Sequence, residues 1–229
     1  MNILDIRNEC FFNNYESVKR KLSDISIIAV HHSAREYHIG EDYKHVIIQA
    51  ATYHKNKIWG YLNSKPIYGN GLMYHYVITP DGQIYKTRNM EEVTWHANNA
   101  NNKSVAIMLQ GNFEIQNPTI EQLKSLEELL QKLLIDLSLD KSSVFAHGEL
   151  INYGNQTACC GRMLKDDVVR FRNTGFIFDQ KYIADENFKE SFGYWLSKGV
   201  FSKYTDPRRQ PTNQEIGEFL YRYDKLRSS

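Results

Sequence analysis

Three cysteines are too few to staple a chain of 229 residues. They cannot all pair with one another, and Cys159 and Cys160 are adjacent, where a disulfide is strained and rare. No disulfide framework is implied, and Cys10 reads as a buried or half-buried thiol. Net charge is equally scarce: 28 Lys and Arg against 27 Asp and Glu leave +1, which gives no strong footing for nucleic acid or an anionic membrane surface. No apolar run approaches a membrane span. The opening MNILDIRNEC carries charges and lacks the apolar stretch of a signal peptide. The expectation is a protein made in the cytoplasm, with no export signal of its own and no membrane insertion. Internal repeats and low-complexity segments are missing too.

What is present suits one good core plus a small annex. Apolar content is 41% and charged content 24%, ordinary for a globular protein. The 15 tyrosines suit a carbohydrate or peptide groove and equally a β-rich core. Residues 25–34, ISIIAVHHSA, read as a buried strand ending in two histidines. Residues 14–22 are a short helical candidate, and 41–55 a better one, with apolar positions at helical spacing. Residues 57–71 read as a loop. Strands follow at 74–79 and 83–87 around a Pro80-Asp81-Gly82 turn, and at 105–109 and 144–146. Between them 95–102, WHANNANN, is a polar loop. Thr119 and Gln122 form a capping box ahead of a leucine-rich amphipathic helix. A long loop from 148 to 161 lacks its own pattern, and 164–172 closes the main domain as a helix.

Three of these segments end in zinc-type ligands: His31, His147 and Cys159. Imidazole and thiolate suit zinc, and three protein ligands leave one corner for water, as in catalytic sites. A closed structural site would need a fourth residue. Spacing alone leaves alternatives open, because a strand His is often a hydrogen-bonded structural residue and Cys159 reads also as a solvent-facing thiol. Side chains alternate across a strand, so His32 and His75, each next to a site residue, point to the opposite face and read as structural.

Read together and in order, VHHSA (30–34), YHYVITPDGQIYKTR (74–88), WHA (95–97), SVAIMLQGNF (104–113), AHGEL (146–150) and TACCG (157–161) say more. Over roughly residues 25–172 the chain resembles the zinc-dependent N-acetylmuramoyl-L-alanine amidases, the family of amidase-type phage lysozymes and animal peptidoglycan recognition proteins. The resemblance implies an α/β fold, a central mixed β-sheet flanked by helices with zinc at the bottom of a groove. It implies His31, His147 and Cys159 as metal ligands and Tyr74 as a catalytic residue. His96 falls near the substrate, and Tyr74 and His96 are the candidate donors to the oxyanion. Tyr74, Glu149 or a water is left to protonate the departing nitrogen. Trp95 and Asn98 are candidate groove residues beside His96, although loop tryptophans often merely pack. Two departures stand out. Cys160 replaces the family's proline after the ligand Cys, which opens a ligand swap to Cys160. Thr157 occupies the position where some relatives carry Lys; it joins the candidate catalytic set without supplying a positive charge.

The activity implied is hydrolysis of the amide between N-acetylmuramic acid and L-alanine in peptidoglycan, as an endolysin or autolysin acting on the bacterial wall after release. The other reading is a noncatalytic peptidoglycan-binding recognition module; such relatives typically lack the Cys that stands here at 159. The amidase domain is expected over 1–178 and a small helical unit over 184–229. That tail carries W-x-x-K-G and D-P-x-x-x-P-T spacings that faintly resemble one surface-layer-homology-like unit, which would bind wall polymers. A helical cap or a dimer contact through its helices is the other reading.

Overall fold

The computed structural model describes residues 1–10 and 17–178. In chain order the elements are β1 (Ile3–Asp5), β2 (Ile27–His32), α1 (Tyr43–Asn56), β3 (Ile58–Leu62), β4 (Lys65–Tyr68), β5 (Tyr76–Ile78), β6 (Ile84–Lys86), β7 (Ser104–Leu109), α2 (Ile120–Asp136), β8 (Val144–Ala146) and α3 (Arg162–Thr174). Every residue of β2 and of β7 is buried, as expected of strands covered on both faces. The sheet runs in the order β1-β6-β5-β7-β2-β8, with β5 and β6 antiparallel and every other neighbouring pair parallel. It is therefore a mixed sheet of six strands flanked by helices.

Alternation along the strands divides the core in two. On one face Val77, Tyr85 and Met108 pack with Ile47 and Ala51 of α1. On the other, Ile28, Val30, Ile107 and Leu109 are fully buried. The apolar sides of α2 (Leu123, Leu126, Leu130) and α3 (Leu164, Val168, Phe171) are buried too. Helix α2 starts where the capping box predicts. The Gln122 amide donates to Thr119 Oγ1 at 3.0 Å, and the Thr119 amide to Gln122 Oε1 at 3.1 Å. The Gln122 side chain also donates to the carbonyl of Gln110 at 2.8 Å, so the helix start is tied to the end of β7.

Two local expectations differ from the structure. Residues 57–71 hold a β-hairpin, β3–β4, rather than a loop. Its turn is Asn63-Ser64, both at positive φ (50° and 62°), the backbone a two-residue type I′ turn requires. The register shifts between Ile58 and Gly60, which breaks the alternation that marks a strand in sequence. Of the proposed 14–22 helix, residues 14–16 lie outside the described residues. The remainder is extended at Lys19, which bridges Glu92, and turns only at Leu22–Asp24. The helical tail proposed for 184–229 also lies outside the described residues. Among the described residues no helix is long and apolar enough to cross a membrane.

Thr119→Ala removes the cap while leaving the core intact. The expected loss is about 1–2 kcal/mol, read as a lower denaturation midpoint at unchanged m-value; an unchanged midpoint would show the cap to be dispensable.

Candidate metal centre

Parallel pairing sets Val30 of β2 opposite Ala146 of β8. The next residue in each strand direction is a histidine, so His31 and His147 emerge side by side at the carboxyl edge of the sheet. Their ring centroids lie 4.4 Å apart. The loop after His147 returns at Cys159, where the Gly148 amide donates to the Cys159 carbonyl at 2.5 Å. A Cβ on Gly148 would stand 2.4 Å from the Thr157 carbonyl oxygen and 2.8 Å from that of Cys159. Only glycine lets the two segments approach this closely. One ligand atom from each of His31, His147 and Cys159 lies within 4.8 Å of the others, a spacing that could hold a metal ion.

The hydrogen bonds around the two imidazoles fix which nitrogen faces the cluster. The Ser104 hydroxyl donates to the Ala100 carbonyl at 2.7 Å, so its oxygen accepts from His96 Nε2 at 3.0 Å. His96 Nδ1 is then the bare nitrogen and accepts from His31 Nε2 at 3.0 Å. This leaves the lone pair of His31 Nδ1 toward Cys159 Sγ, 3.6 Å away. Beside His147, the Asn155 amide nitrogen donates to the carbonyls of Ala97 and Leu150, so its oxygen accepts from His147 Nε2 at 2.9 Å. His147 Nδ1 is thereby bare as well. Two neutral imidazoles with their far N–H groups engaged and one thiol form a donor set that fits a metal accepting nitrogen and sulfur.

Ionisation agrees with this picture. Burial, reinforced by His96 and His147, holds His31 well below the ordinary imidazole range. Burial lowers His147 as well. Burial pushes the Cys159 thiol up to about 12, opposed by the His32 amide that donates to its sulfur at 3.5 Å. A thiol raised this far favours its protonated form at neutral pH. Burial, then Cys159, raises the Tyr74 phenol above its ordinary range. Tyr74 flanks the cluster, its ring 5.1 Å from that of His31.

The other sequence-predicted residues fall in different places. His96 is 9% exposed, and both its ring nitrogens are engaged, Nδ1 with His31 and Nε2 with Ser104. Trp95 is half-buried, edge-on to Trp59 at 6.3 Å. Asn98 is exposed and donates to the Gly154 carbonyl at 2.9 Å. Thr157 is exposed, and its hydroxyl accepts from the Cys159 amide at 3.2 Å. Cys160 is 1% exposed, and the cluster takes Cys159 rather than Cys160. Burial opposes ionisation of Glu149, yet the Arg172 guanidinium (two contacts of 2.8 Å) and the Ala146 amide outweigh it. Glu149 is thus held toward its carboxylate form, bracing the turn that carries His147. His32 and His75 do bond backbone: His32 Nδ1 accepts from Phe113, His75 Nδ1 from Ala106.

Sequence reasoning missed Ser104 and Asn155. Ser104 opens an apolar strand and Asn155 stands in a loop without pattern; neither carries a local signal. Asn101 was missed as well: its oxygen accepts from the amides of His96 and Ala97 at 2.9 and 2.7 Å and holds the loop in shape.

Comparison with known proteins follows the same outline. A family model described as N-acetylmuramoyl-L-alanine amidase matches residues 21–162, more than half of the chain. Among solved structures, N-acetylmuramoyl-L-alanine amidase LysC from Clostridium intestinale URNW is similar with a TM-score of 0.51 and 20% identity, over 76% of this chain and 98% of that one. Peptidoglycan recognition protein-LE, solved with a monomeric diaminopimelic acid-type peptidoglycan, gives 0.61 and 20% over 73% and 92%. Drosophila peptidoglycan recognition protein SD gives 0.59 and 18% over 72% and 91%. At these identities the structural likeness is one of fold. A search of curated proteins finds no match. The family match spans both histidines and the cysteine of the cluster, and the chain belongs to the N-acetylmuramoyl-L-alanine amidase family.

Proposed function

We propose that this protein is a zinc-dependent hydrolase that cuts the amide between N-acetylmuramic acid and L-alanine in peptidoglycan. The observation that carries the reading is the convergence of His31, His147 and Cys159, each presenting one donor atom to a common point. A recognition-only role is disfavoured by the same observation, since recognition alone has no use for a complete donor set. The biological setting we propose is that of an endolysin or autolysin reaching the wall after release from the cytoplasm.

His31 and His147 would hold the ion through Nδ1, with Cys159 as thiolate. Zinc bound there would supply Lewis acidity toward the scissile carbonyl and the attacking water. The chain's own residues do the rest. His96 and Asn155 keep the two imidazoles in the tautomer and orientation that expose Nδ1. Tyr74 is raised in pKa, so it stays a phenol at neutral pH and acts as a hydrogen-bond donor to the carbonyl oxygen as charge develops there. Glu149, paired with Arg172, holds the turn that carries His147 and takes no part in proton transfer. Protonation of the departing amine falls to Tyr74 or to water.

Cys159→Ala is expected to abolish metal retention and wall lysis, whereas Cys160→Ala keeps both; the reverse pattern, by metal analysis and turbidity, would move the ligand to Cys160. Tyr74→Phe is expected to retain the metal and lose turnover on the order of a hundredfold, and an unchanged kcat would remove the phenol from the reaction. Metal uptake should also depend on pH with a definite sign. The histidines are lowered and already neutral near pH 7, while Cys159, raised to about 12, is still protonated. Binding therefore releases about one proton, and apparent affinity rises roughly tenfold per pH unit. Calorimetry in buffers of different ionisation enthalpy reads that number directly, and zero protons released would show that the thiol is not a ligand.

A further inference from the structure

Between Asp42 and Asp81 the sequence has no acidic residue, while Lys55, Lys57 and Lys65 fall inside that stretch; Lys44, at its start, is paired with Glu9 at 2.8 Å. The same stretch gathers the exposed aromatic surface. Among the described residues the exposed Phe, Tyr and Trp side chains are Tyr53, Tyr61, Tyr68 and Phe176. The first three belong to the last turn of α1 and to the β3–β4 hairpin. Tyr61 is 68% exposed and Tyr53 63%. Exposed aromatic side chains gathered in two adjoining elements, α1 and the β3–β4 hairpin, are the kind of feature that marks an interaction site.

The hairpin is joined to the metal centre by a run of rings. From His31 the centroids step 5.1 Å to Tyr74, 5.8 Å to His54 and 5.4 Å to Trp59, and Trp59 meets Trp95 at 6.3 Å. Trp59 Nε1 donates to the His54 carbonyl at 3.0 Å, which seats the first hairpin strand on the end of α1. Gly69 leaves room for that contact, since a Cβ there would stand 2.1 Å from the same carbonyl oxygen. Lys57 Nζ lies 4.4 Å from the Trp59 ring centroid, a cation beside an aromatic face. Ring contacts thus connect the His31 side of the cluster to a basic, aromatic ledge.

We propose that this ledge, the β3–β4 hairpin with the last turn of α1, is a docking platform for the glycan strand of peptidoglycan, holding the polymer beside the metal centre. The inference rests on the amidase reading and adds to it where the uncut polymer lies. The chemistry matches on both counts. Pyranose C–H bonds carry partial positive charge and pack on the negative faces of tyrosine and tryptophan rings. The carboxylates of the stem peptides are drawn to Lys57 and Lys65, which lie in a stretch of sequence without Asp or Glu.

The test compares two substrates on the zinc-loaded full chain: suspended sacculi stripped of other wall polymers, and a soluble N-acetylmuramoyl-L-alanyl peptide. Tyr53→Ala/Tyr61→Ala should raise the half-saturating sacculus concentration about tenfold, a loss of about 1.4 kcal/mol. Zinc content should be unchanged and kcat/KM on the soluble peptide kept within about twofold. Lys57→Gln/Lys65→Gln, a second variant on the surface, should flatten the salt dependence of sacculus binding. Unaltered half-saturation in both variants overturns the proposal. Equal loss on the soluble peptide overturns it too, by placing the patch in the chemistry. So does sedimentation of the full chain with phosphatidylglycerol vesicles but not with sacculi, since Tyr, Trp and Lys also suit a membrane interface. If neither substrate is cleaved, the amidase reading fails by itself, and sedimentation of the variants on sacculi still decides the platform.

Discussion

The register of β2 against β8 is the constraint on which the centre depends. Parallel strands present their carboxyl ends at one edge of a sheet, which is where α/β folds build their sites. With Val30 opposite Ala146, two histidines far apart in sequence reach that edge together and on the same face. A slip of one residue would turn either ring to the opposite face. The burial of β2 from end to end, set by Ile27, Ile28, Ala29 and Val30, makes such a slip costly. The cysteine arrives by a different device, a loop pinned to the backbone at Gly148 rather than a third strand end.

Holding the rings in place is the work of a single turn. Residues 95–103 supply His96 against His31, the Ala100 carbonyl that orders Ser104, and the Ala97 carbonyl that orders Asn155 against His147. The apolar side of the same turn, Ala97 and Ala100, packs with Ile27, Ala29 and Leu150. A packed apolar layer therefore carries a satisfied polar network, which is how buried polar groups specify one geometry rather than merely costing stability. The electrostatics point the same way. Burial lowers the two imidazoles and raises the thiol, so all three groups favour their uncharged forms near neutral pH.

Much of this was legible in the sequence, for physical reasons that differ by residue. The β2 strand and α2 declare themselves through apolar patterning, and Thr119 with Gln122 marks a helix start because the capping bonds are local. His31 and His147 were legible because each closes an apolar strand, and Cys159 because of the segment around it. The contact of His96 with His31 spans 65 residues, which no local pattern encodes. Ser104 and Asn155 were silent for the same reason. The β3–β4 hairpin was hidden by its irregular register at Trp59 and by a turn of Asn and Ser where a glycine would have announced it. The departure of Cys160 from the family's proline leaves the ligand position open in sequence; in the fold Cys160 is buried, and Cys159 Sγ lies 3.6 Å from His31 Nδ1.

X-ray absorption at the zinc edge of the loaded protein tests the central claim most directly. One sulfur at about 2.3 Å and nitrogen or oxygen neighbours at about 2.0–2.1 Å, four ligands in all, is the shell that two imidazoles, one thiolate and one open corner require. A shell without sulfur, or one of six light atoms, would contradict it.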